Sequence, residues 1–116
     1  MKMIIFKVSG VLMKKEVSPD VLRSAKLFSE ELLKRYLSIE QVLLFGSQVN
    51  GTAKPNSDID ILVIVHDYDE REAINREGFQ IKYEIDQRIH FNAVTYEFNE
   101  PFIDRIRPGA VEIYSK

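Results

Sequence analysis

The chain of 116 residues contains no cysteine. Disulfides and thiolate metal sites are therefore excluded, and the usual mark of an oxidising compartment is missing. No run approaches the roughly 18 apolar residues needed to cross a bilayer. Residues 1–13 also lack the continuous apolar stretch and cleavage site of a signal peptide. We therefore expect a cytoplasmic protein with no membrane partner.

An excess of charge of one sign is also lacking, since 18 acidic and 16 basic residues leave a net charge of -2. Nothing in this balance indicates binding to nucleic acid. The chain is long enough for one compact domain, and its 45% hydrophobic content can fill one core. We assign this domain to residues 18–116. Residues 1–17 are expected to form an N-terminal leader or a short hairpin that turns at Ser9-Gly10.

The first half of the domain has clear signals for a helix and two strands. Ser18-Pro19-Asp20 is typical of a helix start. Apolar residues then recur at helical spacing, namely Val21, Ala25, Phe28, Leu32 and Tyr36. Two apolar runs, residues 42–45 and 59–65, predict buried strands, and the polar residues 48–57 between them predict a loop.

The second half is predicted from weaker patterns. Residues 67–80 have a weak helical period and favour an exposed helix, whereas residues 81–93 alternate between apolar and polar and favour a strand. A short helix through Ile106, starting at Asn99-Glu100-Pro101, and a final edge strand over residues 111–114 complete the order. This order predicts an α/β or α+β domain with one small mixed sheet flanked by helices.

The residues that indicate chemistry surround the two apolar strands. Asp58 and Asp60 begin the second strand, and strand geometry places them on the same face, roughly 6 to 7 Å apart. A divalent cation would relieve their mutual repulsion, and oxygen ligands favour Mg²⁺ or Mn²⁺. Gly46-Ser47 ends the first strand, where a glycine allows close approach of a ligand and the following donors can bind phosphate.

This compound pattern, with Gly46-Ser47, Gly51-Thr52-Ala53 and Ser57-Asp58-Ile59-Asp60 in order, resembles the minimal members of the polymerase-beta-type nucleotidyltransferase superfamily. The resemblance is strongest over residues 42–65. It implies that Asp58 and Asp60 hold metal and that Gly46 and Ser47 bind the triphosphate of a nucleotide. Lys54 and Ser57 are further candidate nucleotide-binding residues.

The resemblance also implies a third acidic residue on a later strand. Asp86 is our candidate for this metal-binding and catalytic position, because Ile85-Asp86-Gln87-Arg88 is similar to the strand that carries it in the family. His90 projects from the same face of the predicted strand and is the alternative. If His90 holds the position, the third carboxylate is missing and turnover is in doubt.

By resemblance, the chain is a metal-dependent nucleotidyltransferase that moves a nucleoside monophosphate, expected to be AMP from ATP, to a hydroxyl acceptor. Minimal members often act beside a small helical protein of the HEPN type, as the antitoxin of a toxin–antitoxin pair. The alternative is a weak or inactive binding module that neutralises such a partner. Gln48 and Asn50 favour the alternative because they stand where members often carry basic residues. A homo-oligomer built on the terminal edge strand stays open.

Overall fold

The computed structural model describes residues 2–8 and 11–116, with side chains from Glu16 onward. Six strands and four helices follow one another along this part of the chain. In order, they are β1 Lys2–Val8, β2 Val11–Val17, α1 Pro19–Arg35, β3 Ile39–Phe45, α2 Ser47–Asn50, β4 Ile59–Val65, α3 Tyr68–Ile85, β5 Ile89–Thr95, α4 Tyr96–Ile106 and β6 Val111–Ser115.

The main sheet has four strands in the order β5-β4-β3-β6. β3 runs antiparallel to both β4 and β6, whereas β4 and β5 are parallel, so the predicted mixed sheet is confirmed. β6 is an edge strand, as predicted. β1 and β2 pair antiparallel in a separate two-stranded sheet, and the turn expected at Ser9-Gly10 lies outside the described residues.

The two faces of the main sheet are covered unequally. One face packs against α1 and α3 and is buried along the length of β4, with core residues that include Phe28, Leu32, Leu44, Ile61, Val63 and Ile74. On the other face, α4 packs against a smaller cluster of Leu43, Leu62, Ile64, Val94 and Ile103. Asp58, Asp60 and His90 lie on this second face, beyond the cluster, at the amino-terminal ends of β4 and β5. The fold therefore leaves part of one sheet face open.

The strand predicted over residues 81–93 is wrong in its first half. α3 continues to Ile85, and β5 begins only at Ile89. Ile81 and Ile85 are four residues apart, a spacing that fits one face of a strand and also one turn of a helix. In the structure they extend the buried stripe that Ile74 and Gly78 form on α3. Packing of this stripe against the sheet decides in favour of the helix.

The other boundaries differ by a few residues. α4 begins at Tyr96 rather than at Asn99, where the backbone is kinked with φ -129° before Pro101. The Asn99 side chain donates to the Thr95 carbonyl oxygen at 2.9 Å, which ties the kink to the first turn. β3 begins three residues before the apolar run, at Ile39. Within the described ranges, no helix combines the length and apolar character of a membrane span.

The outer edge of β5 is bonded to side chains of α3. Asn75 donates from Nδ2 to the Ala93 carbonyl oxygen at 2.9 Å, and its Oδ1 accepts from the Ala93 N–H at 2.8 Å. Lys82 donates from Nζ to the Ile89 carbonyl oxygen at 2.7 Å. These bonds replace part of the pairing that a neighbouring strand would otherwise supply.

Candidate functional site

Two carboxylates and an imidazole converge at the amino-terminal ends of β4 and β5. Asp58, Asp60 and His90 each offer a ligand atom, and these atoms lie within 4.8 Å of one another. Asp58 is exposed and Asp60 is half-buried. Among the described residues, this is the only group of at least three side chains that could hold a metal ion, and it includes both predicted aspartates.

His90 reaches this group through the register of the sheet. β4 and β5 are parallel, and Asp60 is paired with His90 across the two strands. Their side chains therefore project from the same face, and His90 Nδ1 lies 3.3 Å from Asp60 Oδ1. The His90 side chain is 76% exposed, so its ring is free to contact a ligand at the open part of the face.

Gly46 lets Asp60 approach the chain at the end of β3. Phe45 is paired with Asp60 across the two strands, so Gly46 follows directly beside the carboxylate. A methyl group on Gly46 would overlap Asp60 Oδ2. Gly46 also has φ +79°, a backbone conformation that residues other than glycine rarely adopt. The backbone and the carboxylate thus occupy the site together only because residue 46 has no side chain.

Ser47 begins α2 immediately after this glycine. The first N–H groups of a helix have no partner within the helix, so Ser47 brings a hydroxyl and one backbone N–H to the site. The Gln48 side chain is buried and donates to the Ser57 carbonyl oxygen at 3.2 Å. This bond joins α2 to the end of the loop that leads into Asp58.

The candidates Lys54 and Ser57 bond to each other in that loop. The Ser57 hydroxyl accepts from the Lys54 backbone N–H at 2.8 Å, and the Ser57 N–H donates to the Lys54 carbonyl oxygen at 3.0 Å. Lys54 is exposed. The structure thus gives Ser57 a bonding role within the turn, and a role of either residue in nucleotide binding stays a prediction.

Asp86 lies elsewhere, in a network of its own. It caps the C-terminal end of α3, where Arg88 donates from Nε to Oδ1 at 3.1 Å and from Nη2 to Oδ2 at 2.8 Å. Ser24 of α1 donates to Oδ2 at 2.8 Å, and Arg88 also pairs with Asp20 at 2.9 Å. The Arg88 guanidinium lowers the pKa of Asp86 to about 2, although partial burial opposes this.

The structure therefore brings together Asp58, Asp60 and His90, and it does not bring Asp86 to them. The prediction that Asp86 belongs to a strand is wrong, because the residue ends a helix and its carboxylate bonds to Arg88 and Ser24. The sequence indicated His90 only as the alternative candidate, because it lies two residues beyond Arg88 on a predicted strand with alternating polar residues. Its pairing with Asp60 depends on a register that the sequence does not state.

Comparison with known proteins identifies relatives of this fold. The family model for the nucleotidyltransferase domain matches residues 25–112. A solved structure of a protein from Sulfolobus solfataricus, described as a proposed nucleotidyltransferase, is similar with a TM-score of 0.61 and 23% identity, over 83% of this chain and 81% of that chain. A structure of a toxin–antitoxin with AMP-PNP is similar with a TM-score of 0.50 and 18% identity, over 78% and 73%. The curated proteins give no match.

Proposed function

Since this chain belongs to the nucleotidyltransferase domain family, we propose that it transfers a nucleoside monophosphate from a nucleoside triphosphate to a hydroxyl group of another molecule. The observation that best supports this function is the convergence of Asp58 and Asp60 beside Gly46. The family in general uses a nucleoside triphosphate and a divalent metal. This chain has the two carboxylates that such a metal requires, next to donors suited to phosphate.

The donor set fits one divalent cation. Asp58 and Asp60 would hold it, and His90 would supply a third ligand, because their ligand atoms lie within 4.8 Å of one another. When bound, the metal would neutralise charge on the triphosphate and on the pyrophosphate leaving group. Mg²⁺ takes oxygen ligands, whereas imidazole suits transition metals. We therefore propose that Mn²⁺ supports the reaction better than Mg²⁺.

The side chains and backbone around Gly46 would position the triphosphate. Ser47 would donate its hydroxyl and backbone N–H to phosphate oxygens, and the open backbone at Gly46 would let them approach. The acceptor oxygen then bonds to the α-phosphorus as the bond between that phosphorus and the bridging oxygen to the β-phosphate breaks. Pyrophosphate leaves, and the acceptor proton passes to solvent.

The acceptor is proposed to be a protein. The sheet face that carries the site is open beyond α4, so a second molecule has room to bring a hydroxyl group to it. One structural neighbour is a toxin–antitoxin with AMP-PNP, an analogue of ATP. We accordingly propose ATP as the donor, AMP as the transferred group and a tyrosine hydroxyl of a small helical HEPN-type toxin as the acceptor, with this chain as the antitoxin.

A second candidate function is a binding module that neutralises its partner without transfer. Two observations support it: the third member of the group around Asp58 and Asp60 is the His90 imidazole, and the Asp86 carboxylate is already bonded to Arg88 and Ser24. An imidazole does not supply the negative charge that a third carboxylate would add. The two functions share a fold and a partner, and they differ in whether Asp58 and Asp60 are needed.

Intact-mass spectrometry separates these candidates. A small helical protein encoded beside this chain would be incubated with the chain, each nucleoside triphosphate, and Mg²⁺ or Mn²⁺. We expect a gain of one or more AMP groups, reduced at least about 100-fold by the double change Asp58→Asn and Asp60→Asn. The matched control is Asp69→Asn with Asp104→Asn, which removes two exposed carboxylates outside the site and should leave the gain unchanged.

If no transfer is detected, partner binding measured on the same variants shows whether the chain acts as a binding module. If the Asn double variant still binds and neutralises the partner, and the wild type adds no mass with any triphosphate, the binding module replaces the transferase. Titration calorimetry with ATP and Mn²⁺ then tests whether nucleotide binding is retained.

A further inference from the structure

The outward side of α3 carries two exposed aromatic rings. Phe79 and Tyr83 are one helical turn apart, and they are 58% and 67% exposed. On the side towards β5, the Phe79 ring packs against Phe91 at 5.4 Å between centroids, and Lys82 lies near the same ring. The rest of both rings faces solvent. Neighbouring aromatic side chains with this exposure are typical of an interface between proteins.

The two rings border a shallow depression on the surface of α3. Its volume is ≈ 440 Å³, and its walls are Phe79, Gln80, Tyr83 and Glu84. These side chains come from neighbouring turns of one helix, so a ring of another molecule can enter between them as a knob enters a hole between packed helices. The depression offers an apolar wall together with an amide and a carboxylate.

The polar residues on this side of α3 follow a symmetric order about Gln80. Arg76, Gln80 and Glu84 stand at intervals of four residues, so they form one line along the helix, and all three are exposed. Among the side chains that the structure describes, Arg76 pairs with the adjacent Glu77 alone, at 3.2 Å, where both are more than half exposed. Glu84 has no ion pair among those side chains. This line therefore has a positive end, a neutral centre and a negative end.

The order of this line is complementary to its own reverse. A two-fold axis through Gln80, perpendicular to the helix, makes α3 antiparallel to the same helix of a second copy. Each Arg76 then lies opposite Glu84 of the other copy, because both are four residues from Gln80. The two Gln80 amides meet at the axis, where the amide nitrogen of each can donate to the amide oxygen of the other.

The aromatic rings fit the same arrangement. Phe79 of one copy lies opposite Ile81 of the other, and so over the depression that Phe79 and Tyr83 border. An aromatic side chain buries about 150 to 250 Å² when it is enclosed. The exposed parts of the two rings therefore supply roughly a third of the 800 Å² that each partner contributes to a standard interface. This area indicates a weak, reversible association.

We propose that the α3 face binds the α3 face of a second copy, with the two helices antiparallel about Gln80. The α3 face consists of Arg76, Phe79, Gln80, Tyr83 and Glu84. A partner of different sequence would cover the rings equally well, whereas a line that is complementary to its own reverse favours a second copy. α3 and the group of Asp58 and Asp60 lie on opposite faces of the sheet, so both sites stay open in the dimer. The proposal does not depend on the transfer reaction.

Sedimentation equilibrium of the full chain, from about 1 µM to about 1 mM, measures this association. We expect a monomer–dimer equilibrium with a Kd of about 10 to 100 µM, because the interface is smaller than the standard size. Phe79→Ala and Tyr83→Ala should each weaken it at least about tenfold, since each change removes two rings from one dimer. Phe98→Ala removes a ring of 71% exposure from α4 and should leave the Kd unchanged.

Charge reversal tests the antiparallel register. Arg76→Glu and Glu84→Arg should each weaken self-association at least about tenfold, because each places like charges opposite one another across the axis. The two variants mixed in equal amounts should associate about as tightly as wild type, since the acidic line of one then faces the basic line of the other. The chain with both changes should also recover. Arg105→Glu, on the exposed side of α4, is the matched control and should have no effect.

Two results would overturn the proposal: a chain that stays monomeric up to about 1 mM, or a dimer whose two charge variants do not recover on mixing. If the chain is monomeric and Tyr83→Ala loses binding to a small helical protein encoded beside it, the α3 face binds that protein and not a second copy. The unfolding temperature of each variant should match wild type, because the changed side chains are exposed. A loss of association is thereby distinguished from a loss of fold.

Discussion

Asp60 lies at the start of β4 and Asp86 precedes the start of β5, so both are at the same end of the sheet, but in separate groups of side chains. Asp60 faces the open part of the sheet, with His90 at 3.3 Å and the bare backbone of Gly46 beside it. Asp86 accepts hydrogen bonds from Arg88 and from Ser24. A carboxylate whose acceptor positions are filled by the chain stabilises the fold, whereas one left with open positions can bind a ligand.

Because their bonding partners differ, Asp60 and Asp86 also have different roles in the protein without ligand. Arg88 connects Asp86 at the end of α3 to Asp20 in the first turn of α1, and so joins two helices to the start of β5. Among the residues whose side chains the structure describes, Asp60 bonds only to His90 on the neighbouring strand. Changes near Asp86 should therefore affect stability, and changes at His90 should affect ligand binding.

The largest effect on stability is expected from a substitution next to Asp60. Gly46→Ala adds a methyl group against Asp60 Oδ2 at a position with φ +79°, so the carboxylate must move. We expect a loss of about 3 kcal/mol in the free energy of unfolding, with loss of metal binding. Urea denaturation and Mn²⁺ titration measure the two effects.

Gly51→Ala is the matched control for this change. Gly51 has nearly the same φ, +78°, but nothing lies within 4 Å of an added methyl group. Only the conformational strain of about 1 kcal/mol should appear. Equal losses in the two variants would show that the approach of Asp60 to residue 46 does not constrain the site.

A smaller effect is expected on the Asp86 side, and it depends on pH. The pKa of Asp86 is lowered from 3.8 to about 2 in the folded chain. Its contribution to stability is therefore fully present above about pH 5 and is lost as the pH falls towards 2. Asp86→Asn should lower the free energy of unfolding by about 2 kcal/mol at pH 7.

The difference between wild type and Asp86→Asn should fall to a small remainder at pH 2, where about half of the Asp86 carboxylates are neutral in the folded chain. Urea unfolding of the two proteins from pH 2 to pH 7 measures it. Because the other acidic residues are common to both, they cancel in the difference. A difference that does not change with pH would mean that ionisation of Asp86 contributes nothing to stability.

The smallest effect on stability is expected at His90. His90→Ala should change the free energy of unfolding by no more than about 0.5 kcal/mol, because the side chain is 76% exposed. Its effect on Mn²⁺ affinity should be at least about tenfold if the imidazole is a ligand. His90→Asp supplies a third carboxylate and should shift the metal preference towards Mg²⁺. Unchanged affinity in both variants would remove His90 from the metal site.

The sequence was most informative where a pattern was both long and local. The apolar run 59–65 defined β4 to the residue. The family resemblance implied that Gly46 and Asp60 share one site, and the two residues lie side by side in the structure. The boundary between α3 and β5 was less clear, since Ile81 and Ile85 fit both a helix and a strand. Burial of the helical stripe against the sheet settled it, and this is a tertiary effect.

The choice between Asp86 and His90 depended on contacts that are distant in sequence. Ser24 and Asp20 lie more than 60 residues before their partners Asp86 and Arg88. The pairing of Asp60 with His90 likewise follows from the register of two strands separated by α3. Neither relation can be read from spacing, because each depends on where α1 and α3 pack against the sheet.

The bonds between Asn75 and Ala93 have a consequence for association between molecules. An unprotected edge strand can add a strand from a second copy and so seed aggregation. Here, the side-chain amide of Asn75 already occupies both backbone groups of Ala93. A strand from another molecule could bond there only after α3 had moved away from β5. Growth of the sheet through this edge is therefore coupled to local unfolding, and the folded chain resists it.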